Sequence, residues 1–534
     1  MSTAVVETAH VADLEPRNYA RAVRRIMVFL VGIGLAIRVV RWLIPAAIWG
    51  DEAMLALNFY RDYLGLTQHL DHGQVAPVLF LWAERLALTT LGSSEWSLRL
   101  LPLLASVGGL FLFWDFTRRT MPPTAAALAV GLLAVSTWPV SMAATLKPYS
   151  GDLFWSTLLL ALAARWHQRP ERLWPLAALA GVVPFALVGS YPSVFVAGAV
   201  SVYLLPLAWR ANLGAKCCFV TYNIAMFAAF GLNYWLVGQS QIDPNAGPTG
   251  EYMRWYWRNG FLPESLLQWP LWLLEAHTGR TFAYPVGDSN GGSTLTTVLV
   301  VLGIWWSWRN GYRPILVVCL LPFALNLIAA GLGKYPYAGC CRLSQHLAPA
   351  ICLLAGTGGA ALLEKWSPRR LERLSRLRWI VGLLIVLGIV SLMLRCLWPD
   401  RDAISRLSRN LHSELRSVIE PGDKIVVIAD PRTDVTTRWY LHRFGERLVW
   451  LQPGEPLPDA DRLWIVTTHA EKPDRTGHVR FIRAHQGWQA TETMWYASRP
   501  DDYRHNKGVW WHCGITCLKR PDDLRVPPQL QAIP

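Results

Sequence analysis

Charge is what this chain has least of. Only 16% of its 534 residues are Asp, Glu, Lys or Arg, whereas a soluble protein of this length carries roughly 25%. Several motifs are missing as well. The formal net charge is +14, yet the basic residues occur as short Arg clusters with no stacking or base-reading motif beside them, which excludes a nucleic-acid groove. The first apolar run has no small-residue cleavage site, so it reads as a retained span rather than a signal peptide. There is no glycine-rich phosphate loop and no paired-acid metal motif. Internal repeats and low-complexity tracts are absent too.

What is abundant is apolar and aromatic. Hydrophobic residues make up 52% of the chain and there are 28 Trp, an excess that fits tryptophans seated at membrane interfaces. Repeated apolar runs of about 17–23 residues are long enough to cross a hydrocarbon core. The chain reads as an α-helical polytopic membrane protein. Eleven spans are expected, at 26–47, 98–117, 123–144, 152–165, 174–190, 193–208, 217–237, 294–308, 314–332, 347–363 and 379–397. The run VAPVLFLWAERLALTTLG (75–92) is apolar enough to tempt a twelfth assignment. Glu84 and Arg85 at its centre would be costly at mid-bilayer, so it is expected to lie on the surface.

That placement sorts the charge. The clusters around Arg24, Arg118, Arg169 and Arg370 all fall on one side, as the positive-inside bias requires. A cytoplasmic tail (1–25), a membrane domain (26–397) and an extracytoplasmic C-terminal region (398–534) follow. The outer face then receives the loops 48–97, 145–151, 238–293 and 333–346. Structured loops of such size collected on one face are usually functional.

The C-terminal region changes character. GDKIVVIAD (422–430) and RLWIVTTHA (462–470) read as buried strands, VTTRWYLHRF (435–444) as a helix between them, and GWQATETMWYAS (487–498) as a half-exposed strand. This alternation predicts a small α/β domain. Cys513 and Cys517 lie in it, where a disulfide is permitted. Free thiols are the other reading, and a metal site with His512 lacks an identifiable fourth ligand.

Four polar features sit at outer span ends. They are WGDEA with Asp51 and Glu52; LDHGQVAP with Asp71, His72 and Gln74; LKPYSGD with Lys147, Tyr149 and Asp152; and KYPYAGCCRLSQHLAP with Lys334, Tyr335, Tyr337, Arg342 and His346. Each alone can simply anchor a helix in the headgroup layer. Together they place carboxylates in one loop and isolated cations in two others. Joining a hydroxyl nucleophile to a carbon that bears a phosphate leaving group needs both. A carboxylate accepts the hydroxyl proton, and cations stabilise charge on the departing phosphate. Arg grips phosphate bidentately, and Lys supplies a point charge.

The run from WGDEAMLALNF through HGQVAPVLFLWAERLALTTLGSSEWSLRLLP and LKPYSGDLF to YPYAGCCRLSQHLAP resembles membrane glycosyltransferases of the GT-C class. Its bacterial branch, with protein O-mannosyltransferases, lipid A aminoarabinose transferases and core galacturonosyltransferases, is the most similar. The resemblance covers about residues 26–397. It implies Asp51 as general base with Glu52 beside it, and surface helices at 53–65 and 76–92. It implies Lys147 and Arg342 at the donor phosphate; from their place in the outer-face features, His72, Gln74, Tyr149, Asp152, Tyr337 and His346 are expected around the substrates. Thr145 stands where many relatives carry a second acid, and Cys341 where Gly or Arg often precedes the late Arg. The implied donor is a polyprenyl-phosphate-linked sugar and the acceptor a lipid, glycan or protein in a bacterial inner membrane. No cofactor is implied, although some members of the wider class use a divalent ion. Two other readings remain: a transporter or flippase of lipid-linked saccharides, and an inactive relative whose C-terminal domain binds a glycan.

Overall fold

The computed structural model describes residues 14–243, 245, 247–287, 291–337, 339–397, 403–428, 435–451, 456–469, 488–497 and 512–519. The chain divides into two compact units. One comprises Met1–Pro45 and Arg61–Leu397, the other Ala46–Tyr60 and Trp398–Pro534. Sequence order had assigned Ala46–Tyr60 to the membrane domain.

Each expected span holds a helix in the first unit. Among the described residues, seven helices are long and apolar enough to cross a membrane: Pro16–Leu43, Glu95–Thr120, Ser193–Arg210, Leu213–Gln241, Arg313–Gly331, Gln345–Trp366 and Arg370–Leu394. Pro123–Val135 and Trp174–Gly189 are apolar but shorter. The other two expected spans are the helices Tyr149–Gln168 and Gly292–Arg309. The run 123–144 breaks at Ser136, whose backbone is extended, and resumes as Thr137–Met142. Pro139 lacks the N–H that would have continued the ladder, so it is tolerated only in a new first turn.

The doubtful segment 75–92 is a 14-residue helix, Val78–Leu91. At 1.5 Å per residue it is about 21 Å long, short of a hydrocarbon core of about 30 Å. Gly92 ends it at φ +83°, a conformation that favours glycine. The expected helix 53–65 is shorter than read: Gly50–Ala56 continues as one 3₁₀ turn, Leu57–Tyr60.

Small residues set the closest approaches in the first unit. A Cβ on Gly303 would collide with the Leu354 carbonyl, and one on Gly358 with the Leu299 carbonyl. The helices Gly292–Arg309 and Ala348–Trp366 therefore touch backbone to backbone, as small residues permit between spans. Two charged groups in the span helices are satisfied internally. Arg38, fully buried in the first helix, donates to Ser106 Oγ at 2.9 Å and to the carbonyls of Gly34, Ala134 and Leu133. Asp115 accepts from Arg118, Arg119 and Arg165, tying the helix Leu100–Thr120 to the far end of Tyr149–Gln168. An arginine in lipid is costly unless its donors are met in this way.

The second unit holds a five-stranded mixed sheet. Its strands are β1 (Lys424–Ile428), β2 (Leu448–Leu451), β3 (Arg462–His469), β4 (Gln489–Ala497) and β5 (His512–Lys519), in the order β2-β1-β3-β5-β4. β1 pairs parallel with β2 and β3; β5 runs antiparallel to β3 and β4. Ile425, Val427, Trp464, Val466 and Ile515 pack with Leu411 and Leu415 of the helix Ala403–Val418. Val426, Leu451, Leu463, Ile465 and Leu518 fill the opposite face.

β5 decides between the two readings left open for its cysteines. Cys513 and Cys517 lie on one extended strand, four residues apart. At about 3.3 Å per residue their Cα atoms are about 13 Å apart, whereas a disulfide spans about 4.4–6.8 Å. The two cannot bridge, and Cys517 is a buried free thiol. Gly514 and the paired cysteines disguise the strand as loop punctuation.

Candidate functional site

Asp51 and Glu52 belong to the second unit. Both lie in the first turn of Gly50–Ala56. Glu52 is fully buried, and its carboxylate accepts the Trp49 backbone N–H at 3.3 Å. That closes the helix start as a capping-box acid does, so Glu52 shapes the turn that carries Asp51. Asp51 itself is half-buried.

The other predicted residues belong to the first unit. Gln74 and Lys147 meet directly: the lysine Nζ donates to Gln74 Oε1 at 2.8 Å, and both side chains are buried. Gln74 Nε2 donates to the His72 carbonyl at 3.3 Å. His72 is exposed and adopts φ +60°, a left-handed backbone in the turn Asp71–Gly73. Arg61 fixes that turn by pairing with Asp71 at 2.6 Å and donating to the His69 carbonyl at 2.7 Å. The residue expected as an acid, Thr145, turns its hydroxyl back to the Ser141 carbonyl at 2.8 Å.

Tyr149 and Asp152 open the helix Tyr149–Gln168. Asp152 is buried and accepts the Ser190 hydroxyl at 2.6 Å. The helix packs against the turn Gln345–Leu347, which brings in His346. His346 Nε2 lies 3.1 Å from Asn326 Oδ1, and its ring meets Tyr335 edge-on at 6.0 Å. Burial, with Asp152 and Tyr149 nearby, pushes the Tyr335 hydroxyl well above its ordinary pKa. It stays a neutral donor, directed at the Leu343 carbonyl at 3.1 Å.

Two further predicted residues join the late loop to the long loop before it. Tyr337 bonds His277 Nε2 through its hydroxyl at 2.8 Å and packs on Trp272. Its backbone N–H donates to the Gly260 carbonyl, also at 2.8 Å. Arg342 places its guanidinium 5.0 Å from the ring centre of Trp257, a cation–π distance. Burial pushes the His277 imidazole below its ordinary pKa and the Cys340 thiol above its own.

The structure therefore brings Lys147 to Gln74, and Tyr149 and Asp152 to Tyr335, whose ring meets His346. Tyr337 and Arg342 sit on aromatic residues of the long loop. Sequence reading missed Ser190, Asn326, Trp257 and His277. The aromatic run EYMRWYWRNG was the available signal for Trp257; the others are ordinary loop or span residues. Among the described residues no three His, Cys, Asp or Glu side chains converge as metal ligands.

Comparison with known proteins places these features in a wider context. Residues 75–235 match the family model described as dolichyl-phosphate-mannose-protein mannosyltransferase. No curated protein matches the chain by sequence. Among solved structures, ArnT from Cupriavidus metallidurans in the apo state is similar at 13% identity with a TM-score of 0.52, covering 92% of this chain and 97% of that one. The same protein bound to undecaprenyl phosphate gives 13% identity and a TM-score of 0.53, over 94% and 99% of the two chains. An archaeal oligosaccharyltransferase from Archaeoglobus fulgidus reaches 11% identity and 0.46, over 80% and 64%.

Proposed function

From the GT-C fold that this chain shares with ArnT, we propose an integral-membrane glycosyltransferase that moves a sugar from a polyprenyl-phosphate donor to an acceptor hydroxyl. The observation that carries the reading is the likeness, over 94% of the chain, to an ArnT structure that holds undecaprenyl phosphate. The transfer occurs on the extracytoplasmic face of a bacterial inner membrane, with the N-terminus cytoplasmic. The acceptor is a lipid, a glycan or a protein.

Asp51 is the general base. The acceptor oxygen attacks the anomeric carbon as the carboxylate takes its proton. The bond from that carbon to the phosphate oxygen breaks, the phosphate keeps the electron pair, and the configuration inverts. Lys147 and Arg342 stabilise the charge arriving on the phosphate. Gln74 supports this role by holding the Lys147 ammonium in place. Glu52 supports the base by closing the turn that carries it. No cofactor takes part in the proposal.

Asp51→Asn tests it. The variant is expected to insert and fold as the wild type does, and to restore none of the missing sugar when it complements a deletion strain. Mass spectrometry of envelope glycans and lipid-linked sugars reads the outcome, and also names the sugar. Full complementation by Asp51→Asn removes Asp51 from the chemistry.

A further inference from the structure

The acid-bearing segment Ala46–Tyr60 is held at both ends by one helix of the C-terminal region, Val435–His442. Before the acids, the Ile48 backbone N–H donates to the Tyr440 hydroxyl at 3.0 Å, a buried bond between residues 392 positions apart. After them, the Tyr60 ring stacks on His442 with centroids 4.0 Å apart and planes 13° from parallel. Tyr60 also lies 5.8 Å from the ring of Trp439. Ile48, Phe59, Trp439 and Tyr440 are all fully buried.

The helix is itself braced. Its Thr437 hydroxyl bonds Ser408 at 2.9 Å, and Tyr440 packs on His412, both partners lying on the helix Ala403–Val418. Arg443 covers the Tyr440 and Trp439 rings at 4.7 and 5.6 Å. Asp51 lies three residues beyond the hydrogen-bonded amide and nine before the stacked ring. A short helix pinned at both ends has little freedom to move its first turn.

We propose that the helix Val435–His442 is a positioning element for sugar transfer, fixing where Asp51 stands through the Tyr440 hydrogen bond and the His442 stack. The C-terminal region is then part of the catalytic apparatus rather than an appended binding module. This rests on the reading of Asp51 as the base. Placement matters because misplacing a reacting group by about 1 Å can cost about a hundredfold in rate.

The test uses the full-length protein in lipid nanodiscs, with lipid-linked sugars extracted from its host membrane and release of undecaprenyl phosphate as the readout. Tyr440→Phe deletes only the hydroxyl, and His442→Ala only the stacking ring. Each is expected to lower kcat per folded molecule by about tenfold or more while leaving the donor KM unchanged. His442→Phe restores a stacking ring and is expected to recover turnover. Independently of activity, hydrogen exchange in Tyr440→Phe is expected to speed up across 46–60 and to stay at wild-type rates in β1. Normal kcat in Tyr440→Phe and His442→Ala, while Asp51→Asn is dead, overturns the positioning role and leaves the base intact. Unchanged exchange across 46–60 in Tyr440→Phe also overturns it. An active Asp51→Asn removes both readings together.

Discussion

The two units are held together by different kinds of information. In the membrane unit each helix is one contiguous apolar run, and what remains is how the runs pack. In the second unit a short acid-bearing piece joins a sheet whose first strand starts at Lys424, and the junction rests on the tips of Tyr440 and His442. Hydrophobic length specifies the first kind of element, because lipid forces backbone groups to pair within the segment. A single hydroxyl or ring specifies the second, and no local pattern announces it. The lesson is that an acid-bearing segment can be adjacent in sequence to one unit and packed in another.

The sharpest way to break the contrast is to damage the packing of the membrane unit alone. Gly358→Leu would push a branched side chain into the Leu299 carbonyl. The cost should exceed the about 1–3 kcal/mol usual for overpacking, since backbone rather than side chain must yield. Size-exclusion chromatography in detergent is expected to show aggregated protein, and a monodisperse peak would mean the two helices can separate.

A smaller effect separates a donor-binding cation from an ordinary surface one. Arg342→Ala is expected to weaken donor use by about tenfold or more, the worth of one charge-assisted hydrogen bond. Arg378→Ala, at an exposed position, should leave it within about twofold. Equal effects in donor titrations would reduce Arg342 to an anchor stacked on Trp257.

The smallest effect is confined to the second unit and to acid. Burial pushes the Asp423 carboxyl up, but hydrogen bonds from Arg462, the Glu420 backbone and Trp464 overcome it and hold the pKa below the ordinary 3.8. Arg462 reaches Asp423 at 2.7 Å and the Trp464 indole reaches it at 3.0 Å. Because the unfolded chain binds this proton more readily, stability rises with pH through the window just below 3.8. It is fully present above that value and lost as pH falls through the lower folded pKa. Hydrogen exchange in β1 and β3 should accelerate there, and Asp423→Asn should remove the acid-dependent part of the change.

Much of the fold was legible because the bilayer imposes a length and an apolar composition on each span. Each of the eleven expected runs holds a helix, the one at 123–144 broken at Ser136, and the segment with Glu84 and Arg85 is the 14-residue helix Val78–Leu91. In the C-terminal region, alternation and apolar runs indicated β1, β3, β4 and the helix Val435–His442. They missed β2, which is only four residues long, and β5. Of the site, the residue types were visible but their partners were not. Lys147 stands 73 residues from Gln74, and no spacing rule links a loop amide to a lysine at that separation. Glu52 was visible as the second of two adjacent acids, but not its bond to the Trp49 backbone N–H, which closes the helix start.

By itself the sequence determined a many-span membrane protein with carboxylates and cations at span ends, because hydrophobic periodicity and charge are local properties. Only the tertiary structure decided that Ala46–Tyr60 packs with the C-terminal region, that Gln74 holds Lys147, and that Cys513 and Cys517 cannot bridge. Those outcomes depend on distances between side chains and on strand extension, which chain order does not encode until the chain has folded.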